Sequence, residues 1–148
     1  MRRAVMDYNG FMGRPLWSFT LAAVLFCAAG NTQNETLRGK LTIRDGQPAS
    51  LETADHKVVN LDGDEPTRKV LTDHRLNGFD IQVRGHFAAP NRFVIDPQHT
   101  HSLLVHRDGH LKLVTYWCSV CSIRAYTPGP CVCCQEETTL DLRDPDQE

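Results

Sequence analysis

The sequence predicts a mainly all-β fold: a small closed or nearly closed barrel with one short helix, followed by a cysteine-rich hairpin. Three observations predict it. Apolar and polar residues alternate with a period of two in one short segment after another between Thr36 and Trp117. Turn-forming clusters such as "DGQPAS" and "DGDEP" separate those segments. One stretch alone has a helical start, "EPTRKVLTDHRL" at 65–76, with Pro66 in the first turn and Val70, Leu71 and Leu76 spaced inward. Short strands around a single helix are the pattern of a small barrel.

Taken in order, "TLRGKLTIR" (36–44) sets Leu37, Gly39, Leu41 and Ile43 on one face. "LETADHKVVNL" (51–61) reads as a hairpin turning at Ala54 to His56, and the acidic "DGDE" (62–65) reads as a solvated turn, lacking calcium-loop spacing. "FDIQVRGHF" (79–87) alternates Phe79, Ile81 and Val83, with Gly85 expected at a bulge or sharp bend. "RFVID" and "SLLVH" are further strands, and "HLKLVTYW" (110–117) follows the turn "RDG". Phe79, Phe87 and Phe93 are expected in the core.

Ahead of the barrel, "LWSFTLAAVLFCAA" (16–29) follows Arg14 and ends in small residues before the polar "NTQNET". That is the outline of a signal peptide over residues 1–30, cleaved after Gly30, and it predicts an exported, periplasmic or secreted protein. The run is too short for a bilayer span of ~20 residues, so no permanent membrane span is expected. Asp7 and the long preceding stretch raise Met12 as an alternative start to Met1. Phe26 stands where a lipobox requires a small residue, which argues against a lipid anchor on Cys27. The leader holds three of 16 basic and one of 18 acidic residues, so the remainder carries a net charge of −4. A chain of that charge, without a lysine or arginine stripe, does not favour nucleic acid as a partner.

The run "LRGKLTIRDGQPASLETADHKVVNLDGDEPTRKVLTDHRLNGFDIQVRGHF" resembles the OB-like barrels of small exported bacterial proteins: a strand with glycine, a strand pair carrying "LDGD", a helical insertion and a strand ending in "VRGHF". The resemblance implies an OB-like barrel over residues 31–109, a fold that binds oligonucleotides or sugars or serves as a scaffold. Aromatic residues are 7% of the chain, too sparse for a stacking platform for single-stranded nucleic acid.

Residues 110–148 form the remaining segment. Five of the six cysteines lie between 118 and 134, in "CSVCSIRAYTPGPCVCC". Cys118 and Cys121 make one CxxC pair and Cys131 and Cys134 another, and two such knuckles supply the four thiolates of a tetrahedral zinc. Pro128 and Gly129 fit the centre of a type II turn that folds the knuckles together. Strand, CxxC, hairpin, CxxC and strand resemble a zinc ribbon, with "HLKLVTYW" before and "TTLDLR" after. The gap of nine residues is shorter than the ~15–20 of the usual signature. Cys133 is surplus and can stand in for Cys131 or Cys134.

Zinc is the first expectation for the metal, with Cu(I) or an iron–sulfur cluster also suited to crowded thiolates. Arg124 is a candidate to offset the −2 charge of a zinc tetrathiolate. Disulfides are the competing reading in an oxidising compartment, although five cysteines cannot all pair within one chain. An active dithiol at Cys118 and Cys121 is the third, against which stands the strand-like "VTYW" leading in, where redox motifs open a helix. His99 and His101 would share a strand face and form a second candidate metal site.

No nucleophile elbow, phosphate loop or HExxH motif is present. Three readings remain: a noncatalytic exported binding or scaffold module with structural zinc and a protein or small-ligand partner, a protein that handles copper or zinc, and a thiol redox protein.

Overall fold

A strand that closes a narrow barrel must pair along both edges while bending sharply, and glycine makes that bend possible. In the computed structural model, which describes residues 34–147, β1 (Glu35–Thr42) pairs antiparallel with β4 (Asp80–Ala89) from Glu35 to Lys40. It pairs with β2 (Ser50–Thr53) from Gly39 to Thr42. Gly39 therefore has neighbours on both sides, and a Cβ there would lie 2.1 Å from the Glu52 carbonyl oxygen. Gly85 is held in the same way between β1 and β5 (Arg92–Ile95), where a Cβ would lie 2.0 Å from the Val94 carbonyl oxygen. At Gly85, where a bulge or sharp bend is expected, both ladders are continuous, and the bulge falls between Phe87 and Ala89. The leader expected over 1–30, with Met1, Met12 and Cys27, lies outside the described residues.

β2 pairs with β3 (Val58–Asp62) through the turn expected at 54–56, β3 runs parallel to β5, and β5 returns antiparallel to β4. The order β1-β2-β3-β5-β4 closes on β1, giving a closed five-stranded, OB-like barrel. The helix α1 (Glu65–Leu71) lies between β3 and β4. Asp64 caps it by accepting from the Thr67 amide at 3.0 Å, with Pro66 in the first turn. The helix stops at Leu71 rather than continuing to Leu76, because Asp73 caps a separate 3₁₀ turn, His74–Leu76, accepting from the Arg75 amide at 3.1 Å.

The "DGDE" turn is structural rather than merely solvated. Asp64 is the helix cap, and Asp62 accepts from Arg68 at 2.8 Å and also from Arg92.

The core takes Leu41, Leu51, Val83 and Phe93 from the barrel strands and Val70, Leu71 and Leu76 from the helical segment. Full burial of each large side chain contributes about 1.5–3 kcal/mol. Phe79 packs against this cluster from its margin. Phe87 departs from expectation: it is 38% exposed at the bulge, its ring set edge-on to Phe93 at 5.1 Å.

β4 is longer than the barrel requires. The β5 ladder reaches Asp96, whose amide donates to Arg84 O at 2.9 Å. Residues 97–102 then loop out through a single helical turn, α2 (His99–Ser102), before β6 (Leu103–Arg107) rejoins β4 opposite Val83 to Ile81. β7 (His110–Cys118) pairs with β6 and is flanked further on by β8 (Ile123–Ala125) and β9 (Thr139–Arg143). The boundary expected at 109/110 coincides with the β6–β7 turn, and the strands on either side are hydrogen-bonded. Val114 and Tyr116 of β7 join the same core. Among the described residues no helix is long and apolar enough to cross a membrane.

Replacing Gly39 with valine forces β1 off β2 and should lower stability by more than about 3 kcal/mol in urea unfolding followed by circular dichroism. Gly46→Ala, in open space at φ +70°, should cost only about 1 kcal/mol.

Acid stability has a defined origin at Asp73. Burial alone would raise this carboxyl, but hydrogen bonds from the Arg75 side chain and amide outweigh it and hold the folded-state pKa below the ordinary value. The stabilisation is present above the unfolded pKa of about 3.9 and is lost as pH falls toward the folded value. Asp73→Asn should cost about 2 kcal/mol at pH 7 and flatten the decline in melting temperature below pH 4.

Candidate metal centre

The sulfur cluster is built by two short reversals of similar conformation. In the first, β7 delivers Cys118 at its end, the chain turns through Ser119 and Val120 to Cys121, and Ser122 takes a left-handed φ of +53°. In the second, Cys131 leads through Val132 and Cys133 to Cys134, and Gln135 takes φ +64°. A non-glycine residue at positive φ is strained unless its surroundings enforce it. Here it follows the second cysteine of each pair, where it turns the chain away from the sulfurs. The amide of Cys121 lies 3.5 Å from the Cys118 sulfur, and the amides of Cys134 and Cys133 act on the Cys131 thiol.

The sulfurs of Cys118, Cys121, Cys131 and Cys134 all lie within 4.8 Å of one another, with Cys118 and Cys134 at 3.4 Å. A tetrahedral ion with metal–sulfur bonds of about 2.3 Å places its ligands about 3.8 Å apart, so this cluster could hold a metal and is compatible with zinc. Cys118 and Cys131 are buried, Cys121 and Cys134 half-buried, and Cys133 is exposed. The spacing left three cysteines competing for two places in the second knuckle. The recurrence of the 118/121 interval at 131/134 was the signal, and the geometry gathers those four.

Electrostatics within the cluster follow from crowding. The amides of Cys134 and Cys133 bring Cys131 down to about 7. Cys121 is pushed up, first through the Cys133 thiol and then Cys134. At Cys134 the Glu136 amide pulls down, but burial and the Cys118 thiol push harder and the direction is up. Neighbouring thiols thus hold protons that a cation would displace.

Two ties from the barrel side hold the hairpin. His99, buried on α2, donates from Nε2 to the Tyr126 carbonyl at 2.6 Å. Arg75 donates to the Thr138 carbonyl at 2.7 Å and lies over the Tyr116 ring at 5.1 Å. Thr138 in turn donates from its hydroxyl to the Gly129 carbonyl at 2.8 Å. Gly129 takes the positive φ expected of it, +126°. Pro130, lacking an N–H, cannot close that turn with a hydrogen bond.

Two expectations change. His99 and His101 do not share a strand face: they lie two residues apart on a helical turn, where successive side chains diverge by about 100°. Among the described residues the four cysteines are the one group of three or more histidine, cysteine or acidic side chains whose ligand atoms converge. Arg124 pairs across β8 and β7 with Trp117, one residue before Cys118, so it occupies the opposite sheet face from that cysteine. It stacks on Trp117 at 5.4 Å and faces Asp141 at 3.6 Å. Backbone amides, not Arg124, are the groups beside the sulfurs. No protein family, curated protein or solved structure matches the chain.

Serine in place of any one of Cys118, Cys121, Cys131 or Cys134 should abolish stoichiometric metal binding, or weaken it more than ~100-fold where three thiolates retain the ion, while Cys133→Ser should leave one ion per chain. Elemental analysis of each purified variant, paired with thiol counting, checks this.

Proposed function

We propose that the protein is an exported, noncatalytic binding or scaffold module whose C-terminal hairpin is stapled by structural zinc in a four-cysteine site. The observation that carries this reading is the burial along the hairpin. From residue 119 to 137 Cys131 is the one buried side chain, so the stretch has no apolar core of its own. Sulfur–metal bonds supply what such a segment lacks. The thiols converge from two separate reversals, which suits one shared cation. Export rests on the leader-like segment at 1–30, and a protein or small-ligand partner accords with the OB-like barrel.

The exposed Cys133 thiol beside the cluster favours one second reading, that the site hands a thiophilic ion onward. An incoming thiol could then form a mixed ligand set. A redox reading draws less support, since the first CxxC lies in a turn between strands and no helix start lies there to stabilise a thiolate.

Protein purified from its own compartment without chelator should carry one zinc per chain and five free thiols after the metal is stripped. Removing the metal should raise amide exchange across 119–138 by about 100-fold or more and leave β1 to β5 protected. Fast transfer of the ion to a competing chelator, slowed in Cys133→Ser, would favour metal handing over a structural staple. Cystines with no bound ion would overturn both readings.

A further inference from the structure

A cavity of about 450 Å³ opens between the β1–β2 loop, the end of β3, α1 and the β4–β5 turn. It is remote in sequence from the cysteines and needs none of them. Its size falls within the usual range for small-molecule sites, about 300–1,000 Å³. Ala49, Leu61 and Leu71 give it an apolar floor, each of them buried in the fold.

Its polar edge is built around one carboxylate and two guanidinium groups. Asp62, whose side chain is 22% exposed, accepts from Arg68 Nε on one oxygen at 2.8 Å, and Arg92 binds the other oxygen. Those contacts use one N–H of Arg68 and the Nε and Nη2 side of Arg92. The remaining guanidinium N–H groups meet no acceptor among the described residues. Asp64 and Glu65, the next carboxylates along the chain, are committed to Thr67 and Lys69. Counted over its lining residues the edge carries a net charge of +1, with two planar donors already held in place by Asp62, and the Asp64 and Glu65 carboxylates act on Arg68 from outside it.

We propose that this cavity binds a small amphipathic monoanion, a molecule with a compact apolar body and a single carboxylate. The apolar floor requires an apolar body, because a bare hydrated anion gains nothing from it. The single net positive charge, with Asp62 in its midst, matches one negative charge and disfavours a phosphate dianion. The carboxylate accepts from the free edges of Arg68 and Arg92, and the body lies over Leu61 and Leu71.

Amide chemical shifts of the full mature chain test this with three probes of one shape: 4-phenylbutyrate, 4-phenylbutan-1-ol and 4-phenylbutylamine. The carboxylate should give saturable shifts at Ala49, Leu61, Arg68 and Leu71 with a Kd of about a millimolar, as suits so small a ligand. The alcohol should bind at least tenfold more weakly and the amine not at all. Arg68→Gln and Arg92→Gln should each weaken the carboxylate about tenfold, and Arg68→Lys, which keeps the charge, by threefold or less. The spectrum of each free variant reports whether the fold survives, and loss of the fold in Arg68→Gln leaves Arg68→Lys and the probe series to decide. Equal binding of alcohol and carboxylate, tighter binding of the amine, or shifts confined to other surfaces would each overturn the proposal.

Discussion

β4 is the strand on which the remaining architecture depends. Its ten residues pair with β1 along one edge and with β5 and then β6 along the other. Closing the barrel occupies the first edge and the far end of the second. The near end is left over, and an unpaired strand edge inside a packed sheet would leave backbone groups unsatisfied. β6 fills it, β7 follows by a short turn, and Cys118 emerges at the end of β7. The placement of the first sulfur is thus inherited, strand by strand, from a barrel that has no chemical role in holding a metal.

From that point onward the physics of the chain changes. Before Cys118, stability comes from apolar side chains shared between strands and helix. After it, nineteen residues pass with a single buried side chain, itself a cysteine. What holds this part is largely polar: Arg75 on Thr138, Thr138 on Gly129, His99 on Tyr126, the β8 ladder to β7, and two left-handed residues that turn the chain at the knuckles. Each tie restrains the backbone near a knuckle without occupying a sulfur. A hairpin restrained in this way would give up less entropy on taking an ion.

The strands were readable because a half-buried strand repeats every two residues, and Leu37, Leu41, Ile81 and Val83 keep that period. The helix was readable at its start from Pro66, although its cap, Asp64, read only as part of a solvated turn, and it was less readable at its end, where Asp73 begins a new cap within the same apolar pattern. The sequence suggested "SLLVH" as a strand and placed His99 and His101 together on a strand face just before it. It could not reveal that β5 and β6 share an edge of β4, which forces residues 97–102 outward and turns His99 from a strand residue into a buried donor. Arg124 was misplaced for a related reason: its nearness to Cys121 in sequence says nothing of sheet face, which cross-strand register alone decides. The sulfur set was legible as two equal intervals, and the surplus thiol was resolved only by the backbone.

The detour at 97–102 has a further implication. Because Asp96 and Leu103 meet the same edge of β4, a length change between them leaves the ladder intact, and the barrel would barely register it. His99 sits on that detour and reaches Tyr126, 27 residues further along the chain. Insertions and deletions there would act on the hairpin as a set-screw, shifting the second knuckle relative to the first while every sulfur and every barrel residue stays the same.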